Sequence, residues 1–180
     1  MKVGTVALIG RPNVGKSTLI NNLVGQKVAI TSPLPQTTQF STYAVYEDPK
    51  TQIIFIDTPG IFAKAKDRRQ KEINLESQKS IRDNIDVVLY IIDRTRSRGV
   101  EENKVLGLLR KITKPKILVI NKIDKKEPDF SAQYKFIEDE VDGVIEVSAI
   151  KGSNLSNLVE EILKYLKEGE KSIDSASMPI

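Results

Sequence analysis

Eight residues near the start of the chain have the types and spacing to hold a polyphosphate: Gly10-Arg11-Pro12-Asn13-Val14-Gly15-Lys16-Ser17. They follow a run of apolar residues and precede a helical pattern, the strand–loop–helix context such a loop needs. Gly10 and Gly15 allow the backbone to turn tightly, so that successive N–H groups face phosphate oxygens at the positive end of the following helix. Lys16 supplies a point charge to the β and γ oxygens. The hydroxyl of Ser17 is a small, hard ligand suited to Mg2+. With Thr18, the whole stretch from Gly10 is expected to contact the phosphates.

Phosphate loops do not discriminate among bases, so a second element must. Asn121-Lys122-Ile123-Asp124 closes the apolar run Ile117-Leu118-Val119-Ile120, placing the Asp124 carboxylate beyond the carboxyl end of a strand. A carboxylate there accepts from both the ring N–H and the exocyclic amine of guanine. Adenine offers no matching pair, and leaving a buried acid unmatched costs on the order of a few kcal/mol. The expected ligands are therefore GTP and GDP rather than ATP. The Lys122 stem can cover the base, Asn121 can brace nearby loops, and Ser148-Ala149-Ile150 can present backbone N–H to the guanine carbonyl.

A third element, Asp57-Thr58-Pro59-Gly60, ends the strand Ile53-Ile54-Phe55-Ile56. Asp57 is expected to hold Mg2+ through water, and the Gly60 N–H to reach the γ-phosphate, so this loop can register whether that phosphate is present. One more hard oxygen is needed; Thr37 and Thr38 are the candidates, Thr38 the favoured one. With Lys16 and Gly60, Thr38 completes the expected catalytic set. Many such enzymes place a water-orienting glutamine after this glycine, but here the residue is the hydrocarbon Ile61, which predicts slow intrinsic turnover. The Asn13 side-chain oxygen is a candidate ligand for K+ beside the phosphates, with a turn-forming role as its alternative. Lys64 to Lys71 is the densest positive cluster, read as a solvated loop with conditional RNA contact as the alternative.

Short Val- and Ile-rich runs alternate with amphipathic stretches, the pattern of a parallel sheet covered on both faces by helices, hence an α/β fold. Strands are expected at Val3–Ile9, Thr42–Tyr46, Ile53–Asp57, Val87–Asp93, Ile117–Asn121 and Val144–Val147. Helices are expected at Lys16–Val24, near Asn74–Asn84, and at Glu101–Lys111, Ser131–Glu140 and Asn154–Lys167. Only a short Glu-Asp-Pro-Lys-Thr connection separates Thr42–Tyr46 from Ile53–Asp57, which predicts a hairpin and an antiparallel strand. The segments 25–41 and 60–73 lack periodicity and follow phosphate-binding elements, as functional loops do. After Lys167 the sequence turns small and polar; residues 1–168 form the expected nucleotide-binding domain and 169–180 a tail or linker.

With 28 basic and 24 acidic residues the net charge is +4, which permits phosphate or RNA partners without requiring them. Absence of cysteine and histidine excludes disulfides, thiolate metal sites and histidine-based triads. No run approaches the roughly 18 apolar residues of a membrane span, and no signal-peptide pattern opens the chain. A soluble cytoplasmic protein is expected.

In this order and over nearly the whole chain, these elements resemble the translation-factor-related GTPases, and Gly-Arg-Pro-Asn-Val-Gly-Lys-Ser with Asp-Thr-Pro-Gly is typical of their Era/Der-like branch. Gly25 to Ser32 followed by Pro35-Gln36-Thr37-Thr38 is similar to the first switch segment of the Era family, although Gln39 and Phe40 replace the arginine that usually follows. The resemblance implies a P-loop fold in a Ras-like three-layer sandwich, with six mostly parallel strands, one antiparallel edge and about five helices. It also implies Mg-dependent GTP hydrolysis, maturation of the small ribosomal subunit and its 16S rRNA, and peripheral membrane association. Thr38, Asp57, Asn121 and Asp124 map onto family positions one for one. The family carries a C-terminal KH-type RNA-binding domain, so the chain is expected to be a truncation ahead of it. Competing readings are a GTP-sensing module without turnover, a P-loop kinase, and a Der-like GTPase with another ribosomal target. The kinase reading leaves Asn121-Lys122-Ile123-Asp124 unexplained.

Overall fold

A computed structural model describes residues 1–25, 32–33, 42–57 and 84–172. The strands are β1 (Lys2–Ile9), β2 (Ser32–Pro33), β3 (Thr42–Asp48), β4 (Thr51–Asp57), β5 (Val87–Asp93), β6 (Lys116–Asn121), β7 (Gly143–Glu146) and β8 (Lys167–Glu168). They form one sheet in the order β2-β3-β4-β1-β5-β6-β7, with β8 also pairing with β1. From β4 through β1, β5 and β6 to β7 every pairing is parallel; β2–β3, β3–β4 and β8–β1 are antiparallel. The expected α/β class holds, and two strands of two residues each extend the sheet beyond the six predicted.

Alternation along the central strands explains the two covered faces. Val6 and Leu8 of β1 with Val87, Leu89 and Ile91 of β5 pack on one side. Ala7 and Ile9 with Val88, Tyr90 and Ile92 pack on the other. Helices α1 (Lys16–Val24) and α3 (Leu155–Leu163) close the first face through Leu19, Leu23, Leu158 and Ile162. Helix α2 (Val100–Arg110) and the 3-10 helix Ser131–Glu140 close the second through Val105, Leu109, Tyr134 and Ile137. Burying each such side chain contributes about 1.5–3 kcal/mol before chain entropy is set against it.

The hairpin is tighter than its sequence suggests. Glu47, Asp48, Thr51 and Gln52 join the strands, leaving only Pro49 and Lys50 in the turn, where the Lys50 N–H donates to Asp48 Oδ1 at 2.8 Å. Helix α3 ends at Leu163, four residues before the predicted end; the N–H groups of Lys164, Tyr165 and Leu166 reach back three residues instead of four. That tightening turns the chain into β8, whose Lys167 and Glu168 pair with Val3 and Lys2. The helix expected near 74–84 falls outside the described residues, apart from Asn84. Among the described residues no helix is long and apolar enough to cross a membrane.

Candidate nucleotide-binding site

The loop between β1 and α1 is held by side chains acting on its carbonyl groups. Lys16 Nζ donates to the carbonyls of Gly10 at 2.9 Å and Arg11 at 3.2 Å. Arg96 Nη1 donates to that of Pro12 at 2.8 Å, Lys122 Nζ to that of Asn13 at 3.4 Å, and Asn121 Nδ2 to that of Val14 at 2.8 Å. The carbonyls of residues 10–14 are thus all satisfied within the protein. What the loop retains for a ligand are N–H groups, joined by those of the first turn of α1, which have no intrahelical acceptor. Gly15 has φ 103°, and a Cβ there would lie 2.2 Å from Asn121 Nδ2, so both conformation and packing demand glycine. Asn13 is also left-handed, at φ 64°.

Beside this loop lies a cavity of about 510 Å³, a size suited to a small-molecule ligand. From the loop and the start of α1 it is lined by Pro12, Asn13, Gly15, Lys16, Ser17 and Thr18. Asp57 also lines it, its carboxylate accepting from Ser17 Oγ at 3.3 Å. These two hard oxygens, one carried by the start of α1 and one by the end of β4, suit a small divalent cation. Burial pushes the Lys16 ammonium below its ordinary pKa, with the nearby Asp57 opposing that shift.

Asn121, Lys122, Asp124, Lys125, Ala149 and Ile150 line the rest of it. Buried Asn121 ties three loops together, since its Nδ2 holds Val14 while its Oδ1 accepts the Ala149 N–H at 3.0 Å. Ser148 Oγ donates to Asp124 Oδ1 at 2.8 Å, orienting the carboxylate. Lys122, at φ 70°, bridges to Asp93 Oδ2 at 2.7 Å.

Two predicted contacts differ from what sequence suggests. The Arg11 guanidinium turns into the interior, where Nε pairs with buried Glu102 at 2.6 Å and Nη2 meets Tyr134 Oη at 3.2 Å. Arg11 therefore faces the loop only with its backbone. Within Ser148-Ala149-Ile150, the first two N–H groups are engaged by Ser153 O and Asn121 Oδ1. Only that of Ile150 lacks an acceptor among the described residues. Thr37, Thr38, Thr58, Pro59, Gly60, Ile61 and the basic stretch 64–71 lie outside the described residues.

Sequence reasoning missed Asp93, Arg96 and Glu102. Glu102 left a signal: it continues the buried stripe Val105, Leu106 and Leu109 at helical spacing, so it had to face inward. Arg96 left none, because its acceptor is a backbone carbonyl.

The profile of a family described as 50S ribosome-binding GTPase matches residues 5–122, spanning the phosphate loop, β4, β5 and the start of the base loop. The chain belongs to this GTPase family. Within that family it is 45% identical over 170 residues to GTPase Era of Halothermothrix orenii, covering 93% of this chain and 57% of that protein. A solved structure of Era in complex with MgGDPNP and a segment of 16S ribosomal RNA superposes with TM-score 0.78 at 41% identity, covering 99% of this chain and 61% of that one. A variant of Aquifex aeolicus Era bound to GDP.AlF4- superposes with TM-score 0.76 at 41% identity, with the same coverage. This member of the GTPase family thus spans less than two thirds of these relatives. Its resemblance to the Era G domain, carried by residues 10–17, 25–32 and 35–38, is borne out.

Proposed function

We propose that this chain binds GTP and GDP and hydrolyses GTP slowly, as the switch domain of an Era-like GTPase acting in small ribosomal subunit maturation. The observation that carries the reading is one cavity lined both by the Lys16 loop and by Asp124, whose carboxylate is oriented by Ser148. Isothermal calorimetry in Mg2+ tests it. GDP should bind at least about 100-fold tighter than ADP, since a site built around base hydrogen bonds rejects a mismatched partner strongly. Equal affinity, or no binding, contradicts the reading.

Lys16 and the loop amides would stabilise charge on the β and γ phosphates. Ser17 and Asp57 would hold Mg2+, completed by Thr38; the ion itself is supported by the MgGDPNP bound in the Era neighbour. That ion would neutralise developing phosphate charge. Gly60 is assigned to the γ-phosphate, and Asp124 with Lys122 and the Ile150 N–H to guanine. Asn13, left-handed and lining the cavity, is the residue we assign to K+. Equal turnover in Na+ and K+ would remove it from that role. Because Ile61 cannot orient water, Ile61→Ala should retain appreciable activity.

RNA contact is supported by the 16S fragment bound to the neighbouring Era structure, although the family's own description names the 50S subunit. We assign the activity to the cytoplasm. A binding-only module is the second reading. The GDP.AlF4- complex of the Aquifex relative favours turnover over it, and phosphate release from GTP separates the two.

A further inference from the structure

Asp93 sits at the carboxyl end of β5, opposite Asn121 in the register with β6, and is 1% exposed. A buried carboxylate needs partners on both oxygens. Its Oδ1 accepts from the Thr95 N–H at 2.8 Å and Thr95 Oγ1 at 2.6 Å, while Oδ2 lies 2.7 Å from Lys122 Nζ. Burial pushes its pKa up, but the bonds from Lys122 and Thr95 outweigh that and leave it below its ordinary value, so it stays ionised.

Lys122 lines the cavity, whereas Asp93 does not. The lysine adopts a left-handed backbone, φ 70°, which a non-glycine residue keeps only where its surroundings fix it. Its other acceptor, the Asn13 carbonyl, is long at 3.4 Å, so the close ionic contact to Asp93 is the stronger restraint. The following residue reinforces the corner, its Arg94 N–H donating to the Asn121 carbonyl at 3.3 Å.

We propose that Asp93 is a positioning residue for nucleotide affinity: by anchoring the Lys122 ammonium it holds the lysine stem across the base pocket and keeps the base loop tied to the phosphate loop at Asn13. The proposal rests on the guanine-nucleotide reading above. Asp93 touches no ligand and acts only through Lys122.

Asp93→Asn keeps the shape and an acceptor for Thr95 but removes the charge from Lys122. Affinities for GDP and GTP should fall together by about tenfold, the equivalent of about 1.4 kcal/mol, while turnover at saturating GTP stays within about twofold and KM rises. In a Lys122→Met background the same change should produce no additional loss. Asp93→Glu, which keeps the charge but displaces the carboxylate, is the second variant and should also weaken binding without lowering saturated turnover. Affinity unchanged in folded Asp93→Asn or Asp93→Glu, or an equal loss with Lys122 already replaced, overturns the proposal. Binding of GDP over ADP by the unaltered chain, measured alongside, checks the underlying reading separately.

Discussion

The ammonium of Lys16 is buried beside the loop it serves, and among the described residues its hydrogen-bond partners are the backbone carbonyls of Gly10 and Arg11. Its lowered pKa means that burial disfavours the charged form below that pKa, a penalty relieved as pH rises toward the unfolded value of 10.5. Phosphate oxygens would offset that penalty. Lys16→Met should accordingly leave the nucleotide-free melting temperature within about 3 °C, while abolishing the rise produced by GDP. Thermal scans with and without GDP check this, and a retained rise would remove Lys16 from phosphate binding. The Arg11–Glu102 pair is of another kind, a charge pair sealed inside the second core face with Tyr90 and Tyr134 as hydroxyl donors to Glu102. Glu102→Ala strands the Arg11 charge and should cost about 3–5 kcal/mol in urea unfolding. Both phenols are raised above the ordinary 10.0 by burial first and Glu102 second. A raised folded pKa contributes stability that is complete below pH 10 and lost as pH rises beyond it. Alkaline absorbance titration should therefore find two of the five tyrosines silent until the chain unfolds.

At the scale of elements, legibility followed how each segment is stabilised. Strand β5 and helix α1 match expectation residue for residue, because every β5 position is buried and α1 presents Leu19, Leu23 and Val24 at helical spacing. Pattern carries such elements. In contrast, β8 is two charged residues, Lys167 and Glu168, held by pairing with β1, and the Gly169 N–H continues the contact to the Met1 carbonyl. Backbone pairing leaves no trace in side-chain periodicity, so this segment looked like the end of a helix and a tail. The 3-10 geometry of 131–140 has a partial signature, since its buried residues Tyr134 and Ile137 stand three apart. At the site, Lys16, Asp57, Asn121 and Asp124 were legible from spacing, whereas the partners on carbonyls 10–14 were not, every residue having a carbonyl. Helix α3 gives an element-scale prediction. Leu158 and Ile162 are fully buried on the first face, so Leu158→Ala should lose about 2–5 kcal/mol by chemical denaturation. A loss below about 1 kcal/mol would show that α3 is not packed as described.

Taken whole, the molecule uses its sheet to bring distant segments to one edge. The carboxyl ends of β1, β4 and β6 deliver the phosphate loop, Asp57 and Asn121 to the same cavity, where open α/β sheets hold ligands, while that of β5 places buried Asp93 behind Lys122. Asn121 ties the phosphate loop at Val14 to Ala149, so phosphate and base recognition should be lost together when it is replaced. In the proposed function it is Asp124 that reads the base. Asp124→Asn keeps an oxygen for Ser148 Oγ and turns an amide donor toward position 2 of the purine, where xanthine carries an oxygen and guanine an amine. Affinities of this variant for XDP and GDP in Mg2+, compared with those of the unaltered chain, are the most direct measurement. Preference should move from GDP to XDP with phosphate contacts intact. GDP preference unchanged by the substitution would contradict it.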